Sequence, residues 1–207
     1  MKHIRELLLR ENHICPWWLA YTFDNPLRQL IHNPGKLLGP YLKEGMVAVD
    51  IGCGMGFFSR GMARMVGNAG NVIAVDLQQE MLNITRKRAV RDNIANRIRF
   101  VKVEQGNIGI SEQVDLVLAF WMVHEVSDVG RFFEQVSSVL KATGAFLIAE
   151  PKMHVTRSRF DEILTSARAA GFVIIENPPI RFSRAAVLKK ENPASEQKED
   201  LTRVRKH

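Results

Sequence analysis

Two cysteines are all the chain contains. Cys15 and Cys53 stand far apart in unlike contexts, which excludes a disulfide framework and suggests free thiols in a reducing compartment. No stretch of about 18 consecutive apolar residues occurs, so a membrane-spanning helix is not expected. The opening Met1-Lys2-His3-Ile4-Arg5-Glu6 is charged and leads into an amphipathic stretch, unlike a secretory leader, and the expectation is a cytoplasmic protein. His3, His13, His32, His154 and His207 lack the i, i+4 spacing or the cysteine company of a metal site, so no metal is expected. An arginine-rich tail and an aromatic platform for RNA are missing too. The net charge of +7 therefore reads in two ways. Arg86, Lys87, Arg88 and Arg91, with Arg97, Arg99 and Lys102 soon after, could face phosphates or could form the solvated face of a helix. The solvated face is favoured, and RNA stays as the alternative partner.

What is present fits one α/β domain. The chain has 207 residues, 46% hydrophobic and 25% charged, enough for a single continuous core. The stretch Met46-Val-Ala-Val-Asp50-Ile-Gly52-Cys53-Gly54-Met55-Gly56 organises the rest. Its short β-branched run is closed by three glycines and followed by apolar residues 57, 58, 62, 65 and 66, which predicts strand, tight turn and helix. A backbone that turns sharply and also touches a ligand cannot carry a Cβ, so such a turn reads as a cofactor cradle. A dinucleotide turn, G-x-G-x-x-G, would place its third glycine at position 57, which is Phe57. Asp50, just before the first glycine, would repel a pyrophosphate but could serve a cationic amine.

The arrangement Asp50-Ile51-Gly52-Cys53-Gly54-Met55-Gly56 resembles the first motif of the class I S-adenosylmethionine-dependent methyltransferases, and the resemblance covers roughly residues 35 to 190. It implies a Rossmann-like, doubly wound sheet of seven mostly parallel strands with the last one antiparallel. It also implies S-adenosyl-L-methionine as cofactor and S-adenosyl-L-homocysteine as product. Asp50, Gly52, Cys53, Gly54 and Gly56 become cofactor-binding candidates. Asn71 to Leu77 reads as a buried strand ending in Asp76, 24 residues after Gly52, where a carboxylate can accept from both ribose hydroxyls. Asp76 matches the second family motif, and Leu77 and Met81 beside it join the candidates, with Leu82 and Ile84 on the same helix, Gln79 to Arg91.

Strand three is expected over residues 97–103. The family commonly carries Gly-Asp at its exit to meet the adenine amine, and Gly106-Asn107 is the equivalent here, with Glu104 as rival. Strand four, residues 114–120, ends in Phe120, a further cofactor candidate, and leads into Trp121-Met122-Val123-His124-Glu125-Val126. The Asn/Asp-Pro-Pro-aromatic motif of base-amine methyltransferases is missing at this point, and Asn177-Pro178-Pro179-Ile180 comes two elements too late, so it reads as a connecting turn. A helix is expected from 128 to 141, stopped near Gly144, then strand five at 145–149, a helix at 157–170, strand six at 172–176 and a last strand at 180–189.

Methyl transfer from a sulfonium mainly needs alignment, worth about 7–11 kcal/mol, against about 3–5.5 for a general base. Absence of an obvious catalytic triad therefore does not argue against an enzyme. His124 is the catalytic candidate, with Glu125 or Glu150 to orient it; the other reading is a structural turn histidine. Residues 1–45 are expected to form a helical cap or lid, residues 46–190 the cofactor-binding domain, and residues 191–207 a disordered tail. Adjacent Trp17 and Trp18 on a helix point about 100° apart, so one of them faces a second surface unless both pack onto the sheet. Cys15, Trp17, Trp18, Tyr21, Trp121 and His124 are the acceptor-pocket candidates. The expected function is methyl transfer to a small-molecule, lipid-like or cofactor-like acceptor, with an RNA methyltransferase or a non-catalytic binding module as alternatives.

Overall fold

The computed structural model describes residues 26–191. Seven strands form one sheet: β1 (Val47–Ile51), β2 (Asn71–Asp76), β3 (Ile98–Lys102), β4 (Val114–Phe120), β5 (Leu140–Pro151), β6 (Phe172–Glu176) and β7 (Ser183–Lys190). Their order is β3-β2-β1-β4-β5-β7-β6. The first five run parallel, while β7 lies antiparallel between β5 and β6. This is the expected doubly wound fold.

The described helices are α1 (Pro26–Ile31), α2 (Pro34–Leu38), α3 (Phe57–Met65), α4 (Gln79–Arg91), α5 (Val129–Val139) and α6 (Arg157–Ala169). Side chains alternate across a strand, and that period divides the core in two. Val49, Ile73, Val75, Val117, Phe146 and Ile148 meet Phe132, Phe133, Val136 and Ile163 of α5 and α6 on one face. Ala48, Val72, Ala74, Leu116, Leu118 and Leu147 meet Leu38, Phe58, Met62 and Leu82 of α2, α3 and α4 on the other. Both faces are covered, which is why the parallel strands read as continuous apolar runs. Side-chain oxygens begin three of the helices: Asn33 accepts from Lys36 N, Asp128 from Arg131 N and Thr156 from Arg159 N.

Boundaries differ from expectation at the end of α5, at β5, which runs over Leu140–Pro151 rather than 145–149, and at the start of β7. Helix α2 ends at Leu38, its first turn set by Asn33 and Pro34. Helix α5 stops at Val139, and Leu140 enters the sheet opposite Val114. Leu140 is fully buried there and Lys141 reaches Asp115 at 2.8 Å, so tertiary contacts override a helical pattern that runs on. Strand β7 begins only at Ser183, after the turn that Ser183 N closes on Ile180 O. The expectations for residues 1–25 and 192–207 lie outside the described residues.

Residues 26–45 are tied to the far end of the chain. His32 Nε2 donates to the Arg181 carbonyl at 2.8 Å, and Tyr41 donates to Glu176 at 2.6 Å. The start of this region thus seats beside β6 and the entry to β7.

Candidate functional site

The glycine turn is built by its neighbours. Gly52 N and Cys53 N both donate to the Val75 carbonyl at 2.9 Å, fastening the turn to β2. Gly54 holds φ +53°, and a Cβ there would project into open space, so close approach of a ligand to backbone stays free. Gly56 serves a different need. At φ +76° its Cβ would lie 2.4 Å from Thr85 Cγ2, so the turn and α4 can pack only through a glycine. Helix α4 then holds the turn by its carbonyls, Thr85 Oγ1 donating to Gly54 O at 2.9 Å and Arg88 to Met55 O at 3.1 Å.

Two carboxylates flank this turn. Asp76 Oδ2 accepts from Gly54 N and Oδ1 from Gln78 N, each at 2.9 Å. Burial raises its carboxyl above the usual range, opposed by these backbone donors. Asp50 is buried, accepts from Ser59 Oγ at 2.5 Å, and is pushed up to about 6 by desolvation, against the pull of Ser59 and of the Arg28 charge. Arg28 of α1 lies 4.7 Å from the Phe57 ring centre and within 5.9 Å of those of Phe120 and Trp121.

Above the turn opens a cleft of about 220 Å³. It lies outside the carboxyl ends of the parallel strands, the usual ligand position in an open α/β sheet. Gly52, Gly54, Asp76, Leu77 and Met81 form one wall. Glu104, Gly106 and Asn107 border it from the loop after β3, Trp121, Met122 and Glu125 from the exit of β4, and Gln135 from α5. Asp50, Cys53, Gly56 and Phe120 lie beneath this surface. The Cys53 thiol is pushed well above its ordinary value by burial and by the charges of Asp76 and Asp50. Phe120 packs against Phe58 with ring centres 4.5 Å apart.

The second constellation spans two strand exits. Fully buried Glu150, at the end of β5, accepts from Val123 N at 2.9 Å through one oxygen and pairs with His124 Nδ1 through the other. His124 Nε2 lies 3.9 Å from Glu125, and its ring stacks on that of His154 with centroids 6.2 Å apart. Burial alone would lower the His124 pKa, but the Glu150 hydrogen bond and the charges of Glu150 and Glu125 outweigh it, and the net shift is upward. His154 moves the other way, through desolvation and the His124 charge. The sequence named Glu150 as one of two orienting groups; the geometry pairs it with His124. Trp121 is held at φ +62° with its indole donating to Ser183 at 2.8 Å. Ser59, Thr85, Gln135 and His154 were not visible as site residues, because each acts across a fold contact rather than at a motif position.

Among the described residues no group of three or more His, Cys, Asp or Glu side chains could hold a metal, and no helix is long and apolar enough to cross a membrane. The basic residues are mostly exposed, but several have partners within the fold. Arg60, Arg64 and Arg91 converge on Asp92, Arg99 pairs with Glu112, and Arg86 lies over Phe100. Cys15, Trp17, Trp18 and Tyr21 lie outside the described residues.

The chain matches the model of a family described as a methyltransferase domain over residues 42–203. It is 31% identical over 138 residues, 67% of this chain and 51% of the relative, to a ubiquinone biosynthesis O-methyltransferase of Rhodopseudomonas palustris. It is 28% identical over 141 residues, 68% of this chain and 43% of the relative, to a ribosomal protein L11 methyltransferase of Dictyoglomus turgidum. The chain spans about half the length of these curated relatives. Its fold resembles that of a S-adenosylmethionine-dependent methyltransferase from Aquifex aeolicus, with a TM-score of 0.75 at 24% identity, covering 84% of this chain and 98% of the other.

Proposed function

The chain belongs to the methyltransferase-domain family, and from that premise we propose that it is a cytoplasmic enzyme that methylates a small, lipid-like or cofactor-like acceptor. The supporting observation is the junction of the glycine turn with Asp76 in one open cleft. S-adenosylmethionine, when bound, supplies an activated methyl group.

The residues fit that donor. Asp76 borders the cleft and keeps acceptor capacity beyond its backbone donors Gly54, Gln78 and Leu77, so the carboxylate can accept from a ribose hydroxyl. Leu77 and Met81 offer apolar wall to a nucleobase, with Gly106 opposite. Asp50 and Arg28, opposite charges near one end of the turn, act on the ammonium and carboxylate of an amino-acid tail through the field they set beneath it. His124 holds its Nδ1 proton on Glu150 and so presents Nε2 as base to an acceptor hydroxyl, the Glu150 carboxylate stabilising the charge that results. Trp121 borders the same end. Deletion of residues 1–24, which hold the acceptor-pocket candidates Cys15, Trp17, Trp18 and Tyr21, should abolish transfer while donor affinity stays within about tenfold.

RNA is the less supported acceptor: Arg86, Arg88, Arg91, Arg97 and Arg99 each have a partner within the fold, and the exposed cations read as a solvated face. The test is incubation with labelled donor and fractionated cell extract. Label in small solutes or lipid supports the proposal; label in RNA overturns the acceptor class; none, with donor bound, leaves a binding module.

A further inference from the structure

One side chain reaches across the cleft to hold the loop between β3 and β4. Residues 103–113 contain no helix or strand, and Ile108 is the buried residue among them. Gln135, inside α5, accepts from Ile108 N at 3.1 Å through Oε1 and donates to the Gly106 carbonyl at 3.0 Å through Nε2. Gln135 itself borders the cleft. Asn107, between the two anchored residues, is turned onto its own loop, its Oδ1 accepting from Gly109 N at 2.8 Å.

We propose that Gln135 is the positioning residue of the nucleobase end, and that Asn107 shapes the loop rather than reading the base. The inference rests on the donor reading of the cleft. A planar base lying against Leu77 and Met81 meets, on its other side, backbone groups whose direction is set by residues 106–108. A loop without regular hydrogen bonds would have to be ordered by the ligand, and that ordering would be subtracted from affinity. The Gln135 amide orders it beforehand by fixing a donor and an acceptor two residues apart. Its neighbours on α5, Phe132, Phe133 and Val136, are buried in the core, so the helix that carries the amide is rigid. The opposite role is a gate, in which the amide competes with a ligand for the Ile108 N–H and must swing away.

Calorimetry with adenosine and with S-adenosylhomocysteine on the full chain separates these. In Gln135→Leu, both ligands should weaken by the same factor of about five to ten, the loss expected for one or two net hydrogen bonds. Amide exchange of residues 106–109 should accelerate. Gln135→Glu keeps an acceptor for Ile108 N but loses the donor to Gly106, and should fall between. Unchanged or tighter adenosine binding in folded Gln135→Leu overturns the clamp while leaving the donor reading intact. A wild-type protein that binds neither ligand overturns the donor reading and this inference with it.

Discussion

The two constellations at the strand exits are built in opposite ways. At the glycine turn, Asp50, Gly52, Gly54, Gly56 and Ser59 lie within ten residues of one another, and the partners Asp76 and Thr85 come from the next strand and helix. In the second, Trp121, which borders the cleft, and His124, Glu150, His154 and Ser183, which do not line it, come from segments up to 62 residues apart. The first works through backbone conformation, which a local pattern can specify. The second works through side-chain pairing, which exists only after β4, β5 and β7 have met.

If the two are independent, changes at one should spare the other. The largest effect is expected for His124→Ala, a fall in kcat of about 10²–10⁴-fold, or ~3–5.5 kcal/mol, with S-adenosylhomocysteine affinity unchanged. An affinity that drops in step would break the comparison. In the wild type, kcat should climb as pH rises through the elevated pKa of His124, because only the neutral ring can accept a proton. Glu150→Gln removes the group that raises it and should move that climb to lower pH.

Next comes Gly56→Ala, which combines a left-handed φ with overlap against Thr85 and should cost ~2–4 kcal/mol in urea unfolding. Asp50→Asn should act on stability with the opposite sign. A rise from 3.8 to about 6 means that the folded state holds the proton more tightly, so the penalty of the charged form is absent below pH ~4 and complete above pH ~6. At 1.36 kcal/mol per unit this is worth ~3 kcal/mol, and the amide should unfold at higher denaturant at pH 8 yet match the wild type at acid pH. Equal stability at both would show that water or Arg28 already solvates the carboxylate. Smallest is Asp76→Ala, which should weaken donor and product binding by ~1.5–3 kcal/mol in calorimetry.

The same contrast governs what could be read from the chain. Strands β1, β2 and β4 declare themselves because a strand covered on both faces has no polar side to show, and the turn declares itself through its glycine spacing. Helix α4 matches its expected bounds, Gln79 to Arg91. The end of α5 was misplaced because periodicity cannot see that Leu140 gains more from the sheet than from another helical turn. Asn107 was read as a base contact from its place beside Gly106; it borders the cleft, and its oxygen accepts from Gly109 N, a bond that the spacing did not announce. Gln135 left no signal, being one polar residue in an amphipathic helix. His124 and Glu150 were legible as candidates, but the two exits they join, Val123 N included, were not.

Strand β7 sits inside the sheet, with β5 on one side and β6 on the other, although it is the last of the described strands to be synthesised. Until Ser183–Lys190 has emerged from the ribosome, β6 has no neighbour to pair with, and β5 presents an open edge whose residues 146–151 are destined for β7. Vectorial synthesis therefore leaves a nascent chain with a complete glycine turn and an unfinished sheet, the kind of exposed edge that recruits other strands. A chain truncated before residue 183 is therefore expected to aggregate where the full chain does not, because of the position of that one strand.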